Sequence, residues 1–461
     1  MLDKKLAAEI LDEALSTGGD FAEIFVEDSK IQNTLFGNGK VENARTRLTY
    51  GIGIRVFKGL FQTYAYTNLM DRENLLKTAR KAASALDGTK EIQCLNLVDF
   101  EFEDKHKIKI SPFDYNHSQE ADIYRKLSEH MFSLSPFCVR TEISSMYKKR
   151  KILIANTEGL WAKDEQNYMR IFINAITEKD GNSTNCHECI AGLMGREIFS
   201  QYDLQEKAES TIRRAVNKLR ALNCPTGIMP VVIANGSGGI IFHEACGHGL
   251  EASSVAPKMS VFSDKIGQKI ASDVVSAVDD GTIPNVWGSV NIDDEGTPTE
   301  RKVLIENGIL KNYMVDKFNG RKMNMRSNGS SRRENYTYIP TSRMSNTMIL
   351  NGKSTPEEII ASTKSGLYVE SIGGGNVFSS TGTFNFAVDD AFLIENGKIT
   401  KQVKGAKLLG RGQDVLLNID MVGNNMKISG GEYCGASSGQ IPTTVGQPTI
   451  RVQGLTVGGQ K

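Results

Sequence analysis

Two imidazoles, a carboxylate and a thiol fall within one short stretch, Ile240-Ile241-Phe242-His243-Glu244-Ala245-Cys246-Gly247-His248-Gly249-Leu250-Glu251. The chain has only six histidines, and His243 and His248 are two of them. Imidazole nitrogen and thiolate sulfur are the usual donors to zinc. A carboxylate beside such a donor, here Glu244, is placed to act as general base toward a water that the metal activates. The stretch therefore reads as a site for metal-assisted hydrolysis. The competing reading is a buried helix with two satisfied core histidines.

The spacing departs from the familiar helical pattern. H-E-x-x-H puts its histidines at i and i+4, on one face; here they stand at i and i+5. At about 100° per residue, the fifth step leaves the second imidazole roughly 140° off that face. Both reach one metal only if the helix bulges or ends between them. Gly247 and Gly249 lie at that place, and glycine tolerates the dihedrals required. A π-bulge is one solution. The residues alone leave the third ligand open. Cys246, three after His243, shares its face on a regular helix. Cys434 lies far away in a glycine-rich segment, Gly430-Gly431-Glu432-Tyr433-Cys434-Gly435, from which a thiolate reaches a metal without disturbing the helix.

The elements around the stretch follow from periodicity. Val231-Val232-Ile233 reads as a strand, Asn235-Gly236-Ser237-Gly238-Gly239 as a turn, and Ile240 onward as a short helix. Earlier in the chain, Leu2, Leu6, Ile10, Leu11 and Leu15 give an amphipathic helix over 2–16. Strands over 21–26, 49–57 and 60–66 and a helix over 71–86 complete an α+β unit, 1–87. A polar connector covers 88–116. A second α+β unit, 117–223, has a helix over 118–134 with Ser118 as cap, four strands, and a helix over 204–222. Cys224-Pro225-Thr226-Gly227 marks the next boundary. From 224 to 461 short β-type segments alternate with Gly, Asn, Asp and Ser turns, and Pro356–Ser362 is one expected helix. The fold class is α+β, with N-terminal α+β units followed by a large β-rich domain, a twisted sheet or barrel.

Length and composition bound the function. At 461 residues, with 39% apolar and 24% charged residues, the chain is an ordinary globular protein of two or three domains. A net charge of +1 without a basic block gives no electrostatic case for nucleic acid. Seven irregularly spaced cysteines do not form a disulfide framework, and no apolar run reaches membrane-spanning length. The expectation is a cytoplasmic protein without a signal peptide.

Other motifs carry less. Cys186-His187-Glu188-Cys189 is a single C-x-x-C at a strand start, where Cys186 and His187 point to opposite faces; it reads as structural. Gly373-Gly374-Gly375 and Gly410-Arg411-Gly412 lack the context of a phosphate loop. Asp279-Asp280 and Asp293-Asp294-Glu295 read as exposed turn carboxylates rather than a hard-cation site. Arg332, Arg333 and Arg343 read either as surface ion pairs or as groups that hold substrate near the metal.

The stretch resembles the signature of the TldD/PmbA family of zinc metallopeptidases, specifically its catalytic, H-E-x-x-x-H-bearing TldD branch. The resemblance runs on through Val278-Asp279-Asp280-Gly281-Thr282, Asp293-Asp294-Glu295-Gly296-Thr297-Pro298, Arg332-Arg333-Glu334, Arg343-Met344-Ser345-Asn346-Thr347, Gly431-Glu432-Tyr433-Cys434-Gly435 and Gly446-Gln447-Pro448-Thr449-Ile450-Arg451-Val452. It implies Zn2+ held by His243, His248 and Cys434, Glu244 as general base and acid, and Cys246 as a packing residue. It also implies short or unfolded peptide substrates and a dimer, with a PmbA/TldE-like paralogue or with a second copy. The rival expectation is a non-catalytic regulator, gyrase-modulator-like, in which the His-Glu helix is structural.

Overall fold

The strand Phe21–Gly37 runs through both N-terminal units and joins them into one sheet. It pairs antiparallel with Lys40–Lys58 on one side and with Cys138–Asn156 on the other. The computed structural model describes residues 2–114, 117–378 and 381–459, and side chains there except at 114 and 117–119. The expected Ser118 cap lies outside the described side chains. The sheet continues from Lys40–Lys58 to Phe61–Thr67, and from Cys138–Asn156 to Leu160–Lys179 and Asn182–Gly192. The reading from sequence ended the first strand at Val26, because Glu27, Asp28, Ser29 and Lys30 are polar. Glu27 is in fact buried beside Arg150, so charge pairing replaces the apolar alternation that marks a strand.

Two pairs of helices cover one face of the sheet. Lys4–Ala14 is capped by Asp3 and Arg72–Ala83 by Asp71. Their residues Ala7, Ile10, Leu11, Leu75 and Ala79 pack on Ile24, Val26, Ile52 and Ile54. His117–Ser133 and Leu204–Lys218 cover the far end, where Tyr124, Leu127, Met131 and Ile212 meet Ile143, Ile171 and Ile173. Spacing of three and four residues puts these apolar groups on one helical face.

The C-terminal part contains a closed barrel of five strands. Gly227–Ile233 lies between Ser365–Phe378 and Ile450–Gly458, and Lys407–Arg411 and Thr383–Glu395 complete the ring back to Ser365–Phe378. A second sheet holds Ala277–Asp280, Asn346–Ile349, Gly439–Gln447 and, at its edge, Lys427–Ala436. The expected helix near 356 is Pro356–Ala361, closed by a capping box between Thr355 and Glu358.

The second face of the N-terminal sheet meets the C-terminal part through buried charge. Arg55 bridges Glu23 at 3.0 Å and Glu295 at 2.5 Å, and Arg333 donates to Glu23 at 2.9 Å. Arg150 donates to Asp294 at 3.0 Å. This corrects the expectation of exposed turn carboxylates. Asp279, Asp280, Asp293, Asp294 and Glu295 are all buried, because each accepts from an arginine, a lysine or turn N–H groups. The arginines are corrected likewise. Arg332, Arg333 and Arg343 are buried and committed to protein acceptors rather than exposed as surface pairs.

Candidate metal centre

The stretch that opens the barrel end is shaped by glycine. Gly236 has φ of +82°, a left-handed conformation that glycine adopts without Cβ strain. A Cβ on Gly239 would stand 2.8 Å from the Gly446 backbone nitrogen, so only glycine lets the chain pass there. The helix Ile240–Ala245 then buries Ile241, Phe242 and Ala245 in the barrel core. It stops at Cys246, whose φ of −127° and ψ of −47° leave the helical region. A 3-10 turn, Gly247–Leu250, follows. The i, i+5 problem is therefore solved by ending the helix, not by a π-bulge.

That break turns the two imidazoles toward one another. Their centroids are 5.3 Å apart, with ring planes at 83°. Nδ1 of His243 lies 3.1 Å from Thr347 Oγ1, on the strand Asn346–Ile349. Nδ1 of His248 lies 3.1 Å from the buried Glu251 carboxylate. With each Nδ1 engaged, Nε2 is the nitrogen left to each ring for a ligand. Cys434, on the edge strand Lys427–Ala436, brings Sγ to 3.2 Å from His248 Nε2. The donor atoms of His243, His248 and Cys434 all lie within 4.8 Å of one another. Donors around one tetrahedral zinc stand about 3.3–3.6 Å apart, so the three residues fit a single metal with little movement.

Glu244 completes the cluster. Its Oε2 is 3.7 Å from His248 Nε2 and its Oε1 is 4.0 Å from His243 Nε2, and a third of its side chain is exposed. Burial raises its pKa above the ordinary carboxylate value and Glu251 adds to the rise, while His248 and Arg343 oppose it. Burial, His248 and Arg343 hold His243 well below the ordinary imidazole value. Burial also pushes His248 down, but the charge and hydrogen bond of Glu251 and the Cys434 sulfur outweigh it and hold His248 well above that value. Cys246 sits in the core, and burial alone drives its thiol far upward. It packs in that core, outside the donor group formed by His243, His248 and Cys434.

The C-x-x-C segment does not form a second centre. Cys186 pairs with Ala175 and Cys189 with Phe172 across the sheet, so three steps place them on opposite faces. Cys189 Sγ accepts from Arg170 at 3.2 Å, and His187 stacks on Phe172 at 5.0 Å. Two neighbours of the cluster, Thr347 and Glu251, have no role in the reading from sequence, and Arg343 has one only as a surface pair or a group that holds substrate. Glu251 had a local signal, since it follows His248 by three residues. Thr347 is distant in sequence and had none beyond lying in a shared motif.

Family models match nearly the whole chain. PmbA/TldA metallopeptidase domain 1 matches residues 22–86, the central domain 110–221 and the C-terminal domain 226–459. The metalloprotease TldD homologue of Buchnera aphidicola is 32% identical over 97% of this chain and 95% of its own. That of Haemophilus influenzae is 33% identical over 95% and 93%. Among solved structures, TldE from Thermococcus kodakarensis shares the fold, with a TM-score of 0.78 at 18% identity over 98% of this chain and 99% of that one.

Proposed function

The chain belongs to the PmbA/TldD metallopeptidase family, and on that premise we propose that it is a zinc-dependent peptidase that hydrolyses short or unfolded peptides. One observation carries the proposal: the donor atoms of His243, His248 and Cys434 converge within 4.8 Å, with the Glu244 carboxylate beside both imidazoles. Two imidazoles with a thiolate favour zinc over hard cations. Zinc held by His243, His248 and Cys434 supplies Lewis acidity and lowers the pKa of water. Glu244 takes the proton of the attacking water and returns it to the leaving amine.

Strand addition within the β-rich surroundings of the site favours an extended substrate, because main-chain pairing selects for unfolded chain rather than for particular side chains. The shared fold with TldE supports a dimer, with a TldE-like paralogue or with a second copy. Among the described residues no helix is long and apolar enough to cross a membrane, and the seven cysteines are unpaired; we place the protein in the cytoplasm.

The test compares a zinc-loaded wild-type protein with Glu244→Gln on one substrate offered folded and unfolded. The expected result is cleavage of the unfolded form only, abolished by chelation and reduced about 10²- to 10⁴-fold in Glu244→Gln with zinc retained. Equal cleavage of both forms rejects the substrate class. Unchanged turnover in Glu244→Gln rejects the mechanism.

A further inference from the structure

We propose that Arg343 is a positioning residue that registers the Cys434 strand against His248, so that thiolate and imidazole meet one metal. The proposal rests on the metal site described above. Arg343 is fully buried and lies just after the short strand Thr341–Ser342. One terminal nitrogen donates to the Cys434 carbonyl at 2.6 Å. The other donates to Ser438 Oγ and to the Gly439 carbonyl, each at 3.0 Å. Nε stands 3.8 Å from Glu251 Oε1, and the other Glu251 oxygen holds Nδ1 of His248. One guanidinium thus touches the residue that carries the thiol, the turn that ends its strand, and the carboxylate that aims the imidazole.

The Cys434 strand needs such a clamp. It lies at a sheet edge, with strand pairing on one side only. Gly430, Gly431 and Gly435 surround the cysteine, so few side chains fix its backbone, and glycine raises the entropy that ordering must overcome. The register slips between Gly430 and Glu432, and Gly431 has φ of +110°. The far side of the turn is held by Glu334, whose carboxylate accepts the Gln440 N–H at 2.9 Å and whose own N–H donates to the Ser438 carbonyl at 2.9 Å. From that turn Arg343 extends to Glu251, whose carboxylate holds Nδ1 of His248. Lysine cannot replace it. A single ammonium lacks the planar fork that reaches three carbonyl or hydroxyl oxygens while facing a carboxylate.

The sulfur and the imidazole are ligands of different origin, one on an edge strand and one on a 3-10 turn. Metal binding without the clamp orders the strand at the moment of binding, which weakens affinity. Loss of a supporting contact of this kind costs about 10- to 100-fold in metal affinity.

The experiment uses full-length apoprotein and reads metal binding rather than turnover. Zn2+ affinity is measured by competition with a chromophoric chelator, and Co2+ loading by the thiolate-to-cobalt charge-transfer band, in wild type, Arg343→Lys, Ser438→Ala and Cys434→Ala. The expected result is zinc affinity about 10- to 100-fold weaker in Arg343→Lys, with a diminished thiolate band and retained cobalt d–d absorption from the histidines. Ser438→Ala removes one acceptor and leaves the buried charges in place, so it remains informative if Arg343→Lys does not fold; its affinity is expected to fall several-fold. Wild-type affinity and a full thiolate band in every folded variant overturn the proposal. A wild type that binds neither metal, or a thiolate band that survives Cys434→Ala, instead overturns the underlying site.

Discussion

Nδ1 of His243 lies 3.1 Å from Oγ1 of Thr347, which ties the short ligand helix to a central strand of the second sheet. Thr347 is fully buried, between Ala277–Asp280 and Gly439–Gln447. Thr347→Val keeps the shape and removes the partner. Metal affinity is expected to fall about 10- to 100-fold, and the unpaired imidazole nitrogen costs about 1–3 kcal/mol of stability. Chelator competition and thermal unfolding read the two effects on the same sample.

The buried arginines join the N-terminal sheet to the C-terminal part, and one of them gives a stability prediction. Arg55 is fully buried between Glu23 and Glu295. Arg55→Met leaves two buried carboxylates without that counter-charge, and removal of one partner from such a pair costs about 3–5 kcal/mol. Adding Glu295→Gln is expected to restore part of the loss. Denaturant unfolding of the single and double variants checks this, and an unchanged midpoint in Arg55→Met contradicts it.

Acid sensitivity is expected to have a source outside the metal cluster. His106 is buried, and its Nδ1 accepts the Asn285 N–H at 3.1 Å. Burial lowers its pKa from 6.5 to about 4, against the pull of Asp104. The unfolded chain therefore takes up this proton as pH falls below about 6.5, while the folded chain resists until about 4. Stability from this group is full above the unfolded value and is lost as pH falls across that window, by roughly 3 kcal/mol in total. His106→Asn is expected to flatten the slope of unfolding free energy between those limits. An unchanged slope assigns the acid sensitivity elsewhere.

The legible parts of the sequence were the local ones. His243, Glu244 and His248 stand within six residues, and glycine beside them foretold a break in the helix. The form of the break was not legible, since a π-bulge and a helix end require the same residues. Cys434 was reached through a shared motif; from residue types alone it was no better than Cys246. The strand Phe21–Gly37 was cut short because Glu27 looks solvent-exposed until Arg150 is brought to it. The same distant pairing hid the burial of Asp293, Asp294 and Glu295. Local periodicity carries no record of a counter-ion that arrives from another part of the chain.

The central claim is that His243, His248 and Cys434 hold one metal while Cys246 only packs. Elemental analysis of purified wild type, Cys434→Ala and Cys246→Ala tests it most directly. The account predicts about one zinc per chain in wild type and in Cys246→Ala, and its loss in Cys434→Ala with the fold intact. Zinc kept in Cys434→Ala and lost in Cys246→Ala would contradict it.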